Sequence, residues 1–149
     1  MYVEPEIIQA GQSLDDRGML TFCNEFQLAG IKRCYFVSNH RQGFVRAWHG
    51  HRVASAFLWP VVGTWRIGAA TRTDEGPDRN PPSMHADVKQ FVVDATSIVH
   101  VPGGWYHGTQ NLSMPAVLAV FSTATMEDLK EDDVRCPWDW WNIWKEEPR

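Results

Sequence analysis

The chain has 149 residues, 44% of them hydrophobic and 21% charged, which describes one ordinary globular domain, residues 1–149, rather than a disordered chain. Its formal charge of −4, with 14 basic residues scattered along the sequence, argues against generic nucleic-acid binding, which needs a clustered basic surface. No apolar run approaches the ~20 residues of a membrane span.

Strand-like runs recur in chain order, separated by turn residues. Residues 20–22 follow the turn Asp15-Asp16-Arg17-Gly18. Residues 32–37 alternate charged and apolar positions until 38–43 break the pattern, and 44–51 alternate again, as a half-buried strand does. Residues 57–62 are continuously apolar, as in a strand covered on both faces, and Pro60 within them predicts an edge or a bulge. Gly63 turns the chain into a strand over 64–70. Residues 73–83, rich in Asp, Gly, Pro and Asn, predict an exposed loop. Three more strands are predicted over 89–93, 97–101 and 116–122, and one helix over 126–133 with Thr125 as N-cap. From Cys136 onward the character changes. Eight or so short strands without βαβ alternation predict an all-β sandwich or jelly roll.

The three cysteines, Cys23, Cys34 and Cys136, have no C-x-x-C spacing, and residues 1–6 show no basic, then apolar, leader. Both features predict reduced thiols and a cytoplasmic location. The eight tryptophans are candidates for a ligand cleft, for a sandwich core or for a dimer interface.

Chemistry concentrates in the histidines. His49 and His51 follow Gly43 as G-x5-H-x-H, and Gly63 closes that segment. His107 sits in Pro102-Gly103-Gly104-Trp105-Tyr106-His107, with Asn111 four residues on, as P-x-G-x2-H-x3-N. On a strand, His49 and His51 point to one face. Neutral imidazole, titrating near 6.5, suits proton transfer at neutral pH. His49 is the candidate base, His51 its companion, and His107 a second acid/base or oxyanion partner. The same three histidines are the residue types of a three-His metal site, but Ser55 and Ala56 stand where a metal site would place its carboxylate. His40, His85 and His100 carry no motif, and His85 is expected to be solvated.

These two segments match the two halves of the cupin signature, and the chain resembles the nucleotide-sugar branch of the cupins, the dTDP-4-dehydrorhamnose 3,5-epimerases and the dTDP-4-keto-6-deoxyhexose 3,4-ketoisomerases. Asp15-Asp16-Arg17-Gly18, Arg46-Ala47-Trp48-His49 and Val101 to Gly108 are similar to the epimerase segments D-x-R-G, R-G-L-H and I-P-x-G-F-A-H-G. Ser38-Asn39-His40 lies where epimerases carry an Asn-containing loop, and His49-Gly50-His51 is similar to the ketoisomerase H-A-H. Residues 133–144 resemble a distorted epimerase C-terminal segment.

The resemblance implies a cupin-type double-stranded β-helix with a short C-terminal helix, forming a homodimer. It implies an epimerase or ketoisomerase for a nucleotide-diphosphate sugar in surface polysaccharide synthesis, using no cofactor and no metal. Arg17, Arg33 and Arg46 become candidates to hold a pyrophosphate, with Asn39 beside them. Simple alternation puts Arg46 on the face away from His49 unless the strand bulges. Trp105 is a candidate to stack on a base, with core packing as its alternative. Two departures stand out. Ser55-Ala56 replaces the epimerase lysine, and Thr123-Ala124-Thr125-Met126 replaces the tyrosine both enzyme types carry after that strand. Tyr35 and Tyr106 are the phenols available to replace it. A metal-dependent cupin enzyme and a sugar-binding cupin without turnover are the alternatives.

Overall fold

A computed structural model describes residues 3–71, 86–146 and 148–149. The predicted loop over 73–83 and His85 lie outside the described residues. Two five-stranded antiparallel sheets face each other, in strand orders β1-β9-β6-β11-β4 and β12-β5-β10-β7-β8. Their strands are β1 (Glu6–Gln9), β4 (Arg33–Val37), β5 (Val45–His51), β6 (Ala56–Val62), β7 (Trp65–Thr71), β8 (Val88–Val93), β9 (Ser97–Val101), β10 (Trp105–Asn111), β11 (Val117–Ser122) and β12 (Val134–Arg135). A separate hairpin joins β2 (Gly11–Asp15) to β3 (Gly18–Phe22). The arrangement is a jelly roll, as predicted.

Alternation divides each strand between two environments. On β7, Trp65, Ile67 and Ala69 point between the sheets, where they join Leu58, Val99, Trp105 and Leu118 in the main core. Fully burying a side chain such as Leu58 or Ile67 stabilises by about 1.5–3 kcal/mol. The outer face of the same sheet is covered by residues 136–144. There Trp48, Ala70, Tyr106, Cys136 and Trp144 form a second core. The indole N–H groups of Trp48 and Trp144 both donate to the Trp138 carbonyl at 3.1 Å. A Cβ at Gly68 or Gly108 would come within 3.0 Å of the Trp144 ring, so the tail lies flat only because the sheet offers bare backbone there.

Two differences from the expected elements, and one choice between two expectations, have physical causes. β10 was not expected as a strand: both faces are buried, one by the tail and one by the sandwich, so no polar–apolar alternation marks it. β6 is central, so of the two expectations for Pro60, an edge or a bulge, the bulge is the one found. Pro60 is accommodated by a bulge opposite Val117 and Leu118, and because β9 pairs only as far as Leu58. The helix is one turn, α1 (Met126–Leu129), with Thr125 and Asp128 in a reciprocal capping box. It stops early because Asp132 turns away to accept backbone N–H bonds from Arg52, Val53 and Ala54 at 2.6, 3.1 and 3.3 Å.

Candidate active site

The two histidine segments are neighbours in one sheet. His49 and His107 are directly paired residues of β5 and β10, and His51 pairs with Trp105. The turns after β5 and before β10 lock together: the Gly104 N–H donates to the His51 carbonyl at 2.7 Å. A Cβ at Gly103 would lie 2.6 Å from the Arg52 carbonyl oxygen, so this contact needs glycine. Asp132 clasps the same turn from the α1 side.

Between the sheets, beside the apolar core, these strands open a cavity of about 570 Å³. His49, His51 and His107 line one wall; Arg33 and Tyr35, from the edge strand of the opposite sheet, line the other. The His107 ring centroid lies 5.9 Å from that of His49 and 5.8 Å from that of His51. The Arg33 guanidinium sits 4.9 Å from the Tyr35 ring centroid. Met126, Lys130, Asp133 and Arg135 complete the rim. Among the described residues, no group of three or more His, Cys, Asp or Glu side chains is disposed to hold a metal ion.

Burial controls the protonation of this wall. It pushes His107 down to about 3, helped by the neighbouring His49 and His51. His49 is lowered first by burial, then by the charges of Arg135, His51 and Arg46, against the opposing pull of Asp133. Both rings are therefore neutral, proton-accepting imidazoles at pH 7. Tyr35 moves the other way: burial, with Asp133, raises its phenol against Arg33 and Arg135, so it keeps its proton.

The structure thus brings together His49, His51, His107, Tyr35 and Arg33 from the expected set. It separates the others. Tyr106 points to the outer face, 5.4 Å from the Trp141 ring, because it alternates with His107. Trp105 is 1% exposed in the main core, its indole N–H donating to the Val3 carbonyl, so its face is closed to a base. Arg17 is on the β2–β3 hairpin, paired with Asp15 at 2.5 Å and away from the cavity lining. The bulge at residues 47–48 pairs Arg46 with Thr109 and returns it to the face of His49. Yet its Nε donates to Asn39 Oδ1 at 2.8 Å, holding it in a recess with Asn39, His40 and Phe44. Asn39 is itself 6% exposed and donates to Asn111 Oδ1 at 2.8 Å, so it clamps the loop to β10. His100 stacks on Phe57 at 4.3 Å, outside the cavity.

Asp133 and Arg135 were not among the residues expected at the site. Asp133 Oδ1 lies 3.9 Å from His51 Nδ1, and Arg135 Nε donates to Asp133 Oδ2 at 3.2 Å. The signal was a charged pair at strand spacing around Val134, straddling the end of the expected helix over 126–133.

No protein-family model matches the sequence, and no curated protein matches it. Solved structures do match. A dTDP sugar isomerase from Desulfovibrio desulfuricans G20 superposes with a TM-score of 0.70 at 14% identity, covering 97% of this chain and 92% of its own. The 3,4-ketoisomerase QdtA from Thermoanaerobacterium thermosaccharolyticum, in complex with TDP-4-keto-6-deoxyglucose, gives 0.65 at 16% identity over 91% of this chain and 89% of its own. The rmlC epimerase of Mycobacterium tuberculosis gives 0.66 at 12% identity over 88% and 68%. At these identities the likeness establishes the fold: the chain has the cupin jelly roll that these sugar-nucleotide isomerases and epimerases share.

Proposed function

We propose that the chain is an epimerase or ketoisomerase of a nucleotide-linked 4-keto-deoxysugar, working by histidine-mediated proton transfer next to the ketone without a cofactor, in surface polysaccharide synthesis. The observation that carries this reading is the cavity itself: neutral imidazoles on one wall face a protonated phenol on the other. His49 removes the proton from the carbon next to the ketone. His51 stands beside it, with the Asp133 carboxylate 3.9 Å from its Nδ1. Tyr35, from the opposite sheet, returns a proton to the other side of the ring. Arg33 supplies positive charge for a phosphate. The structural likeness to a 3,4-ketoisomerase in complex with TDP-4-keto-6-deoxyglucose and to a TDP-quinovose 3,4-ketoisomerase supports the substrate class.

The test is incubation of metal-free protein with dTDP-4-keto-6-deoxyglucose in D2O, followed by NMR. Deuterium at the carbon next to the ketone, with inversion or movement of the ketone, is expected. Absence of label would favour a sugar-binding protein without turnover. Activity that requires stoichiometric metal on His49, His51 and His107 would favour the metal-dependent alternative.

We also propose a homodimer. The β2–β3 hairpin pairs with neither main sheet and exposes Leu14, Met19 and Leu20, which a second copy would cover.

A further inference from the structure

We propose that Arg135 is the catalytic cation of this site, the group that holds the enolate oxygen formed when His49 removes a proton. The inference rests on the proton-transfer reading above and adds the electrophile that reading lacks.

Removing a proton next to a ketone leaves negative charge on the ketone oxygen. That charge needs a hydrogen-bond donor fixed close to the base. Ser55 and Ala56 offer no cation near the start of β6. Among the described residues, three cations line the cavity: Arg33, Lys130 and Arg135. Lys130 is tied to Glu127 at 2.6 Å at the end of α1, and its side chain is about as exposed as that of Arg135, 66% against 69%, so position and not burial separates them. Arg33 stands on the wall opposite the histidines, over the Tyr35 ring. Arg135 alone belongs to the wall of the base, where β12 pairs it in register with His49. Directly paired residues of an antiparallel ladder project to the same face, with Cβ atoms ~4.5–5.5 Å apart. A carbonyl oxygen and its neighbouring C–H are held by two such groups side by side.

The guanidinium is also aimed. Its Nε donates to Asp133 Oδ2, which fixes the plane of the fork. Its two terminal nitrogens have no hydrogen-bond or ion-pair partner among the described residues, and they remain for the substrate. Asp133 thus holds Arg135 through Oδ2, while its Oδ1 stands 3.9 Å from His51 Nδ1. The step balances without a co-reactant. The C–H bond breaks and its proton passes to a ring nitrogen of His49. The bonding pair forms the C=C bond, and the carbonyl π pair moves to oxygen, where Arg135 donates two hydrogen bonds. Return of a proton to carbon reverses the shift.

The test compares wild type, Arg135→Gln and Arg135→Lys for deuterium exchange into dTDP-4-keto-6-deoxyglucose and for dTDP affinity. Arg135→Gln is expected to lower the exchange kcat about 100-fold, to leave the dTDP Kd within a few-fold, and to leave Tm near wild type. Arg135→Lys is expected to recover part of the rate, since it restores charge without the fork. The His49 ring, followed by NMR, is expected to titrate at higher pH in Arg135→Gln. Wild-type kcat in Arg135→Gln would overturn the proposal, as would a raised KM with unchanged kcat, which would make Arg135 a phosphate anchor. No exchange in wild type would instead overturn the functional reading and this proposal with it.

Discussion

Arg135 stands directly opposite His49 in the β12–β5 ladder, so the last strand of the sandwich is part of the site wall and not merely its cover. Through Asp133 the same two-residue strand reaches His51. The loop before it, through Asp132, holds the turn that follows His51. One short segment therefore flanks both histidines of β5 from the side.

His49→Asn is expected to abolish solvent exchange next to the ketone while leaving dTDP affinity within a few-fold. Loss of a general base costs about 10²–10⁴-fold in rate. Wild-type exchange in this variant, measured by NMR in D2O, would assign the base elsewhere.

Tyr35→Phe separates proton removal from proton delivery. With His49 intact, label should still enter the substrate on the face of the histidines. Inversion or ketone movement should fall by about 10²-fold or more. Unchanged product formation would show that Tyr35 is not the acid.

The pH dependence follows from the buried imidazoles. His107 titrates at about 3 in the folded chain, against an ordinary value near 6.5. Between those values the unfolded chain binds a proton that the folded chain refuses. Stability is therefore full above pH ~6.5 and drains as pH falls towards ~3, by at most about 1.4 kcal/mol per pH unit for one such group. His49, lowered in the same direction, adds to this. The urea midpoint should drop between pH 7 and pH 5, and His107→Gln should flatten the drop. In the wild-type protein, on the proposed activity, the acid limb of kcat/KM should lie below pH 6.5. A midpoint that rises on acidification would contradict this account.

Asp132→Ala removes the acceptor of three backbone N–H groups at residues 52–54. Burial opposes its ionisation, but these bonds outweigh burial and hold the carboxyl below its usual range. A loss of roughly 1–3 kcal/mol is expected, read as a lower Tm, together with reduced kcat because the His51 turn loosens. An unchanged Tm would mean that water replaces the carboxylate at no cost.

Gly108→Ala places a Cβ 2.5 Å from Ala47 and 2.9 Å from the Trp144 ring. Overpacking of this kind costs about 1–3 kcal/mol. Lower Tm with a changed tryptophan emission is expected, since the tail must lift from the sheet. Wild-type stability would show that the tail is not held by this contact.

Much of this molecule is local and therefore legible in the chain. Period-two alternation marks β4 and β5, where polar and apolar neighbours take opposite faces. The H-x-H spacing puts His49 and His51 on one face, and the P-x-G turn announces His107. The Thr125 cap is a matter of adjacent residues too. The rest depends on what lies on top of what. β10 is buried on both faces, so its pattern is erased, and only the fold shows that Tyr106 leaves the cavity while His107 enters it. Arg46 changes face through a bulge that pairing decides. Asp133 and Arg135 sit about eighty residues from His51 and His49 in sequence. Their position is set by ladder pairing between distant strands, which no local pattern encodes.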